Sequence, residues 1–148
     1  MDVANKMLDA PISDIMSTHL KTVLPNDNLL KVKELFDAHH IHHVPVTRYK
    51  ELLGIISKSD FLAFIKKGED DDTFLEGHLA EEIMKSKIVK ASSDQRIAVA
   101  ALILLENFFH CVPVIDENEL VGLVTPFDIM KYCYNTEYPE HPFKSLFH

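Results

Sequence analysis

The sequence predicts a mixed α/β (α+β) fold built from two copies of one β-α-β-β-α unit. Three observations predict it. The stretch HHVPVTRYKELLGIISKSD at 42–60 returns as HCVPVIDENELVGLVTPFD at 110–128, a constant offset of 68 residues. Upstream, Ile15-Met16 falls on Ile83-Met84 at the same offset, with no insertion between. Within each copy the apolar spacing is helical, then strand-like, then helical again. A fixed period of this length marks a repeated supersecondary unit.

In chain order, residues 1–10 are expected to form a helical lead-in. Asp14-Ile15-Met16 and Glu82-Ile83-Met84 each predict one helical turn entering a repeat, followed by short strands near 21–24 and 88–91. Asp27 suits the N-cap of a helix over 28–40, with Leu29, Val32, Phe36 and His40 along one face. Its counterpart, 95–109, is different. Ile97, Ala100, Leu104 and Phe108 form the equivalent face, yet Ala98, Val99, Leu102, Ile103, Leu105 and Phe109 fill much of the remainder. A helix apolar nearly all round is buried on more than one side, which predicts a partner subunit.

Strand pairs follow at 43–47 with 52–57 and at 111–115 with 120–125, joined by the polar turns RYKE (48–51) and DENE (116–119). Leu53-Gly54-Ile55-Ile56 and Val121-Gly122-Leu123-Val124 are apolar without alternation, as in a strand covered on both faces. Helices over 59–66 and 127–134 close the repeats. The expected boundaries are a lead-in at 1–10, repeats at 11–67 and 79–134, an acidic linker at 68–78 and a tail at 135–148. The linker run Asp70-Asp71-Asp72 has the donors for a hydrated magnesium ion, but a solvated loop or helix start is the favoured reading. After Cys133, Tyr134, Tyr138, Phe143 and Phe147 are expected to pack on the body or on a neighbour.

Composition narrows the function classes. A 148-residue chain with 47% hydrophobic and 26% charged residues has an ordinary globular balance. A net charge of −8 offers no basic stripe for phosphate backbones, which argues against nucleic acid. Cys111 and Cys133 form neither a disulfide framework nor a zinc pattern, so buried free thiols are expected. The N-terminus lacks the basic start and apolar core of a signal peptide. The longest apolar run, 98–105, falls far short of a membrane span. A cytoplasmic protein is expected, with no membrane partner. The start and the irregular tail favour a complete small protein over a piece of a transporter or dehydrogenase.

The carrying pattern is an apolar-Pro-apolar strand (Val44-Pro45-Val46, Val112-Pro113-Val114), a polar turn, then Leu-x-Gly-apolar-apolar-[Ser/Thr]-x-x-Asp entering a helix. Present twice in phase, it resembles a tandem pair of CBS domains, or Bateman module. That resemblance implies two repeats packed sheet to sheet about a pseudo-twofold axis, adenine nucleotides in the clefts between them, and homodimers through helices, including 95–109.

Ser57 with Asp60, and Thr125 with Asp128, lie where a strand passes into a helix. There the helix N-terminus favours phosphate, and a carboxylate one turn on suits ribose hydroxyls. Capping the helix is the alternative role for Ser57 and Asp60. Nucleotide-binding members often carry basic residues before the apolar-Pro strand; here those positions hold His42-His43 and His110-Cys111. Lys58 lies inside the first motif, SKSD, whereas the second, TPFD, has Phe127 and no cation. The resemblance therefore assigns the phosphate end of a ligand to the first repeat, and leaves the second weak, empty or tuned to a less charged molecule. Thr22 and the rest of 22–24, with Val44, Pro45 and Ile56, would wall a purine in the first; Val112, Pro113 and Val124 would do so in the second. His39, His40, His42 and His43 cluster within five positions, but no Cys or acidic third ligand lies near, and no metal site is assigned. His42 or His43 instead suits a phosphate-facing or pH-sensitive role, or a surface one.

The function expected is a regulatory module that senses an adenosine-containing nucleotide of the AMP/ADP/ATP class, with or without magnesium, and passes its state to an unknown regulated protein. The alternative is a non-catalytic dimerisation module with degenerate clefts. No Gly-rich phosphate loop, CxxC pair or nucleophile triad supports an enzyme, and no cofactor is required.

Overall fold

A computed structural model describes residues 6–65, 71–107 and 110–144. The chain forms two compact units, Leu20–Ile88 and Met1–His19 with Val89–His148. Each contains one two-stranded antiparallel sheet covered by short helices, an α+β arrangement.

In the unit Leu20–Ile88, helix α1 (Leu29–Ala38) starts at Asn28, whose side chain accepts the Lys31 N–H at 3.1 Å. Asp27, the expected cap, is drawn elsewhere: its carboxylate takes the Leu24 N–H at 2.7 Å and the Lys31 Nζ at 3.2 Å. Leu29, Val32 and Phe36 are buried as the spacing predicts. His40 is not on that face, because His39 is already extended (φ −133, ψ 150) and closes the helix on Leu35.

Strands β1 (His43–Arg48) and β2 (Glu51–Ser57) pair through a two-residue turn, Tyr49-Lys50, with φ of 50 and 67. Two left-handed residues match the twist of a tight hairpin, but neither Tyr nor Lys adopts that conformation readily. Val46 faces Gly54 while Thr47 faces Leu52, so Leu53 is the extra residue of a bulge. The strand expected at 21–24 shrinks to one parallel bridge between Val23 and Val46, and Pro25, lacking an N–H, follows it. Val23, Val32, Phe36, Val44, Val46, Ile56 and Phe61 form the core.

After β2 come α2 (Lys58–Phe64), α3 (Asp72–Glu76) and α4 (Ala80–Ile83). Part of the expected linker is thus packed structure: Leu75 has no exposure, because its apolar side chain sits in the core beside α1. Asp71 caps α3 through the Phe74 N–H at 2.7 Å, and Asp72 lies 3.7 Å from Lys33. Asp70 lies outside the described residues.

In the other unit, α5 (Ile97–Asn107) buries Ile97, Ala100 and Leu104. Leu102 and Leu105 on the same helix are 53% and 75% exposed, so the excess of apolar residues is left on the surface. Phe108 and Phe109 lie outside the described residues. Strands β3 (Val112–Asp116) and β4 (Glu119–Val124) repeat the first hairpin, with Glu117-Asn118 at φ 49 and 66 and a bulge at Val121. The strand expected at 88–91 is again one bridge, Ala91 to Val114. Helix α6 (Pro126–Glu137) runs past the expected end at 134 and takes the first residues of the expected tail, 135–137, into the helix. Phe143 returns against Phe127, with ring centroids 5.7 Å apart; Phe147 lies outside the described residues. Among the described residues, no helix is long and apolar enough to cross a membrane.

The spatial units cross the sequence repeats at the entry turns. Ser17, which opens the first repeat, exchanges backbone hydrogen bonds with Leu123 of β4. Lys85, its equivalent, does the same with Ile55 of β2. The residue before each seals the strand's glycine. A Cβ on Gly54 would meet Met84 Sδ at 2.7 Å and the Lys85 carbonyl at 3.0 Å; one on Gly122 would meet Met16 Sδ at 2.7 Å. The repeated Ile-Met and the repeated glycine are therefore two halves of one contact.

Candidate functional site

The two Ser/Thr-x-x-Asp turns start alike. Ser57 is the N-cap of α2, and its Oγ accepts the Asp60 N–H at 3.0 Å. Thr125 is the N-cap of α6, and its Oγ1 accepts the Asp128 N–H at 3.4 Å. Pro126 follows at the first helical position, where a missing N–H costs nothing.

The aspartates then diverge. Asp128 turns back on the cap: its Oδ2 accepts the Thr125 N–H at 2.9 Å and the Thr125 hydroxyl at 3.1 Å. This is a reciprocal capping box. Burial pushes the Asp128 carboxyl above its ordinary value of 3.8, against those hydrogen bonds and the nearby Lys131 charge. Asp60 closes no such box. Its Oδ2 lies 3.3 Å from the Nζ of Lys85, whose side chain is 73% exposed.

Around the first turn, the Lys58 N–H donates to the His42 carbonyl at 2.8 Å, tying the residue before β1 to the start of α2. His42 is exposed; His43 is half-buried and pairs with Ser57 in the sheet. Thr22 is exposed beside Val23, which exchanges backbone hydrogen bonds with Pro45 and Thr47. Val44 and Ile56 have no exposed surface and point into the core, whereas Pro45 and Ile55 sit opposite each other on the other face. His42, Ser57, Lys58 and Asp60 thus lie at one end of the β1–β2 hairpin, whereas Thr22 stands beside the middle of β1, next to Pro45.

In the second unit, His110 is exposed, Cys111 and Pro113 are buried, and Val112 and Val124 are wholly in the core. Burial, and secondarily the Asp128 charge, push the Cys111 thiol up to about 12, which makes it inert near neutrality. Cys133 is free and partly exposed. Beside Asp128 opens a cleft of about 280 Å³, lined by Asp14, Ile15, Lys131, Tyr132, Asn135 and Thr136 as well. Among the described residues no group of three or more His, Cys, Asp or Glu side chains is placed to hold a metal ion.

Lys85 and Asp14 stand beside Asp60 and Asp128, and sequence reasoning did not single them out. Both lie on entry turns, whose partner strand belongs to the other sequence repeat. The 68-residue offset held a signal: Lys85 corresponds to Ser17, so a cation stands in one copy only.

Comparison with known proteins agrees with this architecture. The family model described as the CBS domain matches twice, at 12–67 and 80–135. The CBS domain-containing protein YhcV of Bacillus subtilis is 25% identical over 119 residues, covering 80% of this chain and 81% of its own. A homoserine O-acetyltransferase of Methanococcus vannielii is 28% identical over 77% of this chain, which spans only 23% of that enzyme. Among solved structures, an AcuB protein of Vibrio cholerae assigned to acetoin utilization superposes with a TM-score of 0.77 at 27% identity, covering 90% of this chain and 99% of that one. The CBS domain pair of MJ0100, in complex with 5′-methylthioadenosine and S-adenosyl-L-methionine, gives a TM-score of 0.74 at 24% identity, with coverage of 86% and 98%. CBSX2 in complex with AMP gives 0.75 at 22%, with coverage of 86% and 98%.

Proposed function

Starting from a chain that belongs to the CBS-domain family, we propose a regulatory module that binds an adenosine-containing nucleotide at its first motif and signals the bound state to a protein partner. The observation that carries this reading is the Asp60 carboxylate. It is free of the capping box, stands one helical turn from the Ser57 hydroxyl, and has two lysines, Lys58 and Lys85, on the flanking turns. In the bound state the carboxylate accepts from ribose hydroxyls, while Lys58, Lys85 and His42 or His43 face the phosphate. AMP and S-adenosylmethionine bound to similarly folded CBS pairs support the ligand class.

Binding acts by selecting one conformation of the module rather than by chemistry, because none of the motif residues is arranged as a nucleophile with a base. Leu102 and Leu105 offer α5 as the contact for a second copy, through which the bound state alters the surface met by the regulated protein. The second motif favours the degenerate-cleft reading for its own site only, since the Asp128 carboxylate is already occupied by its cap.

A thermal-shift screen of AMP, ADP and ATP, with and without magnesium, tests the proposal. A ligand at a hundred times its Kd adds about 2.7 kcal/mol to the folded state. That shift is expected for at least one nucleotide and is expected to vanish in Asp60→Ala. No shift with any of them at millimolar concentration would reduce the protein to a dimerisation module.

A further inference from the structure

Helix α2 meets the segment around α4 at two places. Asp60 and Phe64 stand at positions i and i+4 of α2 and so share one side of that helix. At the first place, Asp60 Oδ2 lies 3.3 Å from the Nζ of Lys85, which follows α4 closely in the chain. At the second, Phe64 meets His78, which precedes α4, edge to face, with ring centroids 5.4 Å apart and planes at 75°.

Phe74 of α3 completes a triangle of rings: its centroid lies 4.5 Å from that of His78 and 5.8 Å from that of Phe64. Both phenyl rings pack against the core of this unit, so the imidazole rests on a fixed base. Its Nδ1 lies 3.0 Å from Glu82 Oε1, while Oε2 of the same carboxylate accepts the Leu79 N–H. The Leu79 N–H first, and then His78, hold the Glu82 carboxyl below its ordinary value of 4.5. Position 78 is tied to α1 as well, because its carbonyl accepts the Leu29 N–H at 2.9 Å. The other unit is built differently. There Ala10 takes the place of His78 and Ser17 that of Lys85, and Tyr132, in the place of Phe64, donates its hydroxyl to the Met7 carbonyl at 2.9 Å.

A ligand treats the two contacts of α2 unequally. The nucleotide proposed above takes the Asp60 carboxylate for ribose and the Lys85 ammonium for phosphate, so it competes with the ion pair that joins them. The ring contact lies one helical turn further along α2 and uses no group that the ligand needs. Without it, α2 would come loose from α4 at the step where both must be fixed, and binding would have to supply that order itself.

We infer that His78 is a positioning residue for the first motif: its contact with Phe64 and Phe74 keeps α2 docked beside α4 while the ligand parts Asp60 from Lys85. This inference rests on the function proposed above. The doubling of the α2–α4 contact rests on the fold alone.

Titration calorimetry with AMP and urea unfolding of the full chain test it, with circular dichroism to check that each variant is folded. His78→Ala is expected to weaken AMP at least about fivefold, and His78→Phe, which keeps a ring in the triangle, to stay within about twofold of wild type. His78→Gln can keep a bond to Glu82 but offers no ring, and should behave like His78→Ala. In the ligand-free protein, His78→Ala and Lys85→Ala each leave one contact standing. Together they should lower the urea midpoint by more than the sum of their separate shifts. Additive shifts would overturn the inference, as would an AMP affinity unchanged in His78→Ala or lost equally in His78→Phe. If wild type binds AMP and Asp60→Ala does not, the proposed function stands in each of those cases. Wild type that binds no AMP would end both.

Discussion

The turns at Ser57–Asp60 and Thr125–Asp128 share a sequence pattern and the start of a helix, yet their aspartates do different work. Both are half-buried, but Asp128 is folded into its own cap while Asp60 pairs with a lysine. The difference teaches that a motif specifies the turn, while its neighbours decide what the carboxylate is left to do. In one copy the neighbour is Lys85 and in the other Ser17, and both arrive on a segment remote in sequence.

The contrast can be broken most sharply at the glycines under those segments. Gly54→Ala should cost about 2–3 kcal/mol in urea unfolding, because the new methyl meets the Lys85 carbonyl as well as Met84. Gly122→Ala should cost somewhat less, about 1–2 kcal/mol, since every atom the methyl meets belongs to the Met16 side chain, its Cβ at 3.0 Å included, and none to a carbonyl of the main chain. Equal costs would mean that Met16 Cβ, fixed to its own backbone, resists as firmly as the Lys85 carbonyl.

Next in size is the cap. Asp128→Ala should lose about 1–2 kcal/mol of stability with the capping box. Asp60→Ala should lose less, under about 1 kcal/mol, because it gives up only an ion pair whose lysine is exposed. Ligand affinity should show the reverse order for AMP. A stability loss at Asp60 as large as that at Asp128 would erase the distinction drawn between the two turns.

The pH dependence sharpens the same point. Asp128 holds its proton more tightly folded than unfolded, so its contribution is favourable at low pH and is lost as pH rises from 3.8 through the raised folded value. Asp128→Asn keeps the cap's shape without this titration. Wild-type stability relative to Asp128→Asn should therefore decline with pH across that window and level off above it. A difference that grew with pH would show that the capping hydrogen bonds outweigh burial.

The smallest expected effect is a gain. Replacing Tyr49-Lys50 by Asn-Gly relieves two left-handed residues at an exposed turn and should add about 1 kcal/mol, read as a higher urea midpoint. The same change at Glu117-Asn118 should add less, because Asn already tolerates this conformation.

Much of this was legible beforehand. The helix faces Leu29-Val32-Phe36 and Ile97-Ala100-Leu104 are buried because side chains three and four apart share a side, whatever they pack against. Both hairpins follow from apolar runs interrupted by four polar residues. Capping is one of the two roles the sequence offers Ser57, and the structure shows it there and, as an addition, at Thr125. Less legible were elements whose fate depends on a competitor. Asp27 lost the cap to Asn28 because two other donors were nearer its carboxylate. The linker gained a helix because Leu75 found a place in the core.

The sequence by itself determined the repeat, the family, the hairpins and the position of both motifs, because each is encoded by spacing along a continuous stretch. Only the tertiary structure decided that Met84 covers Gly54, that Lys85 stands against Asp60, and that Asp14 and Lys131 share a cleft with Asp128. Those relations join residues distant in the chain. No local period encodes them; they exist because each sheet completes its packing with the entry turn of the other repeat.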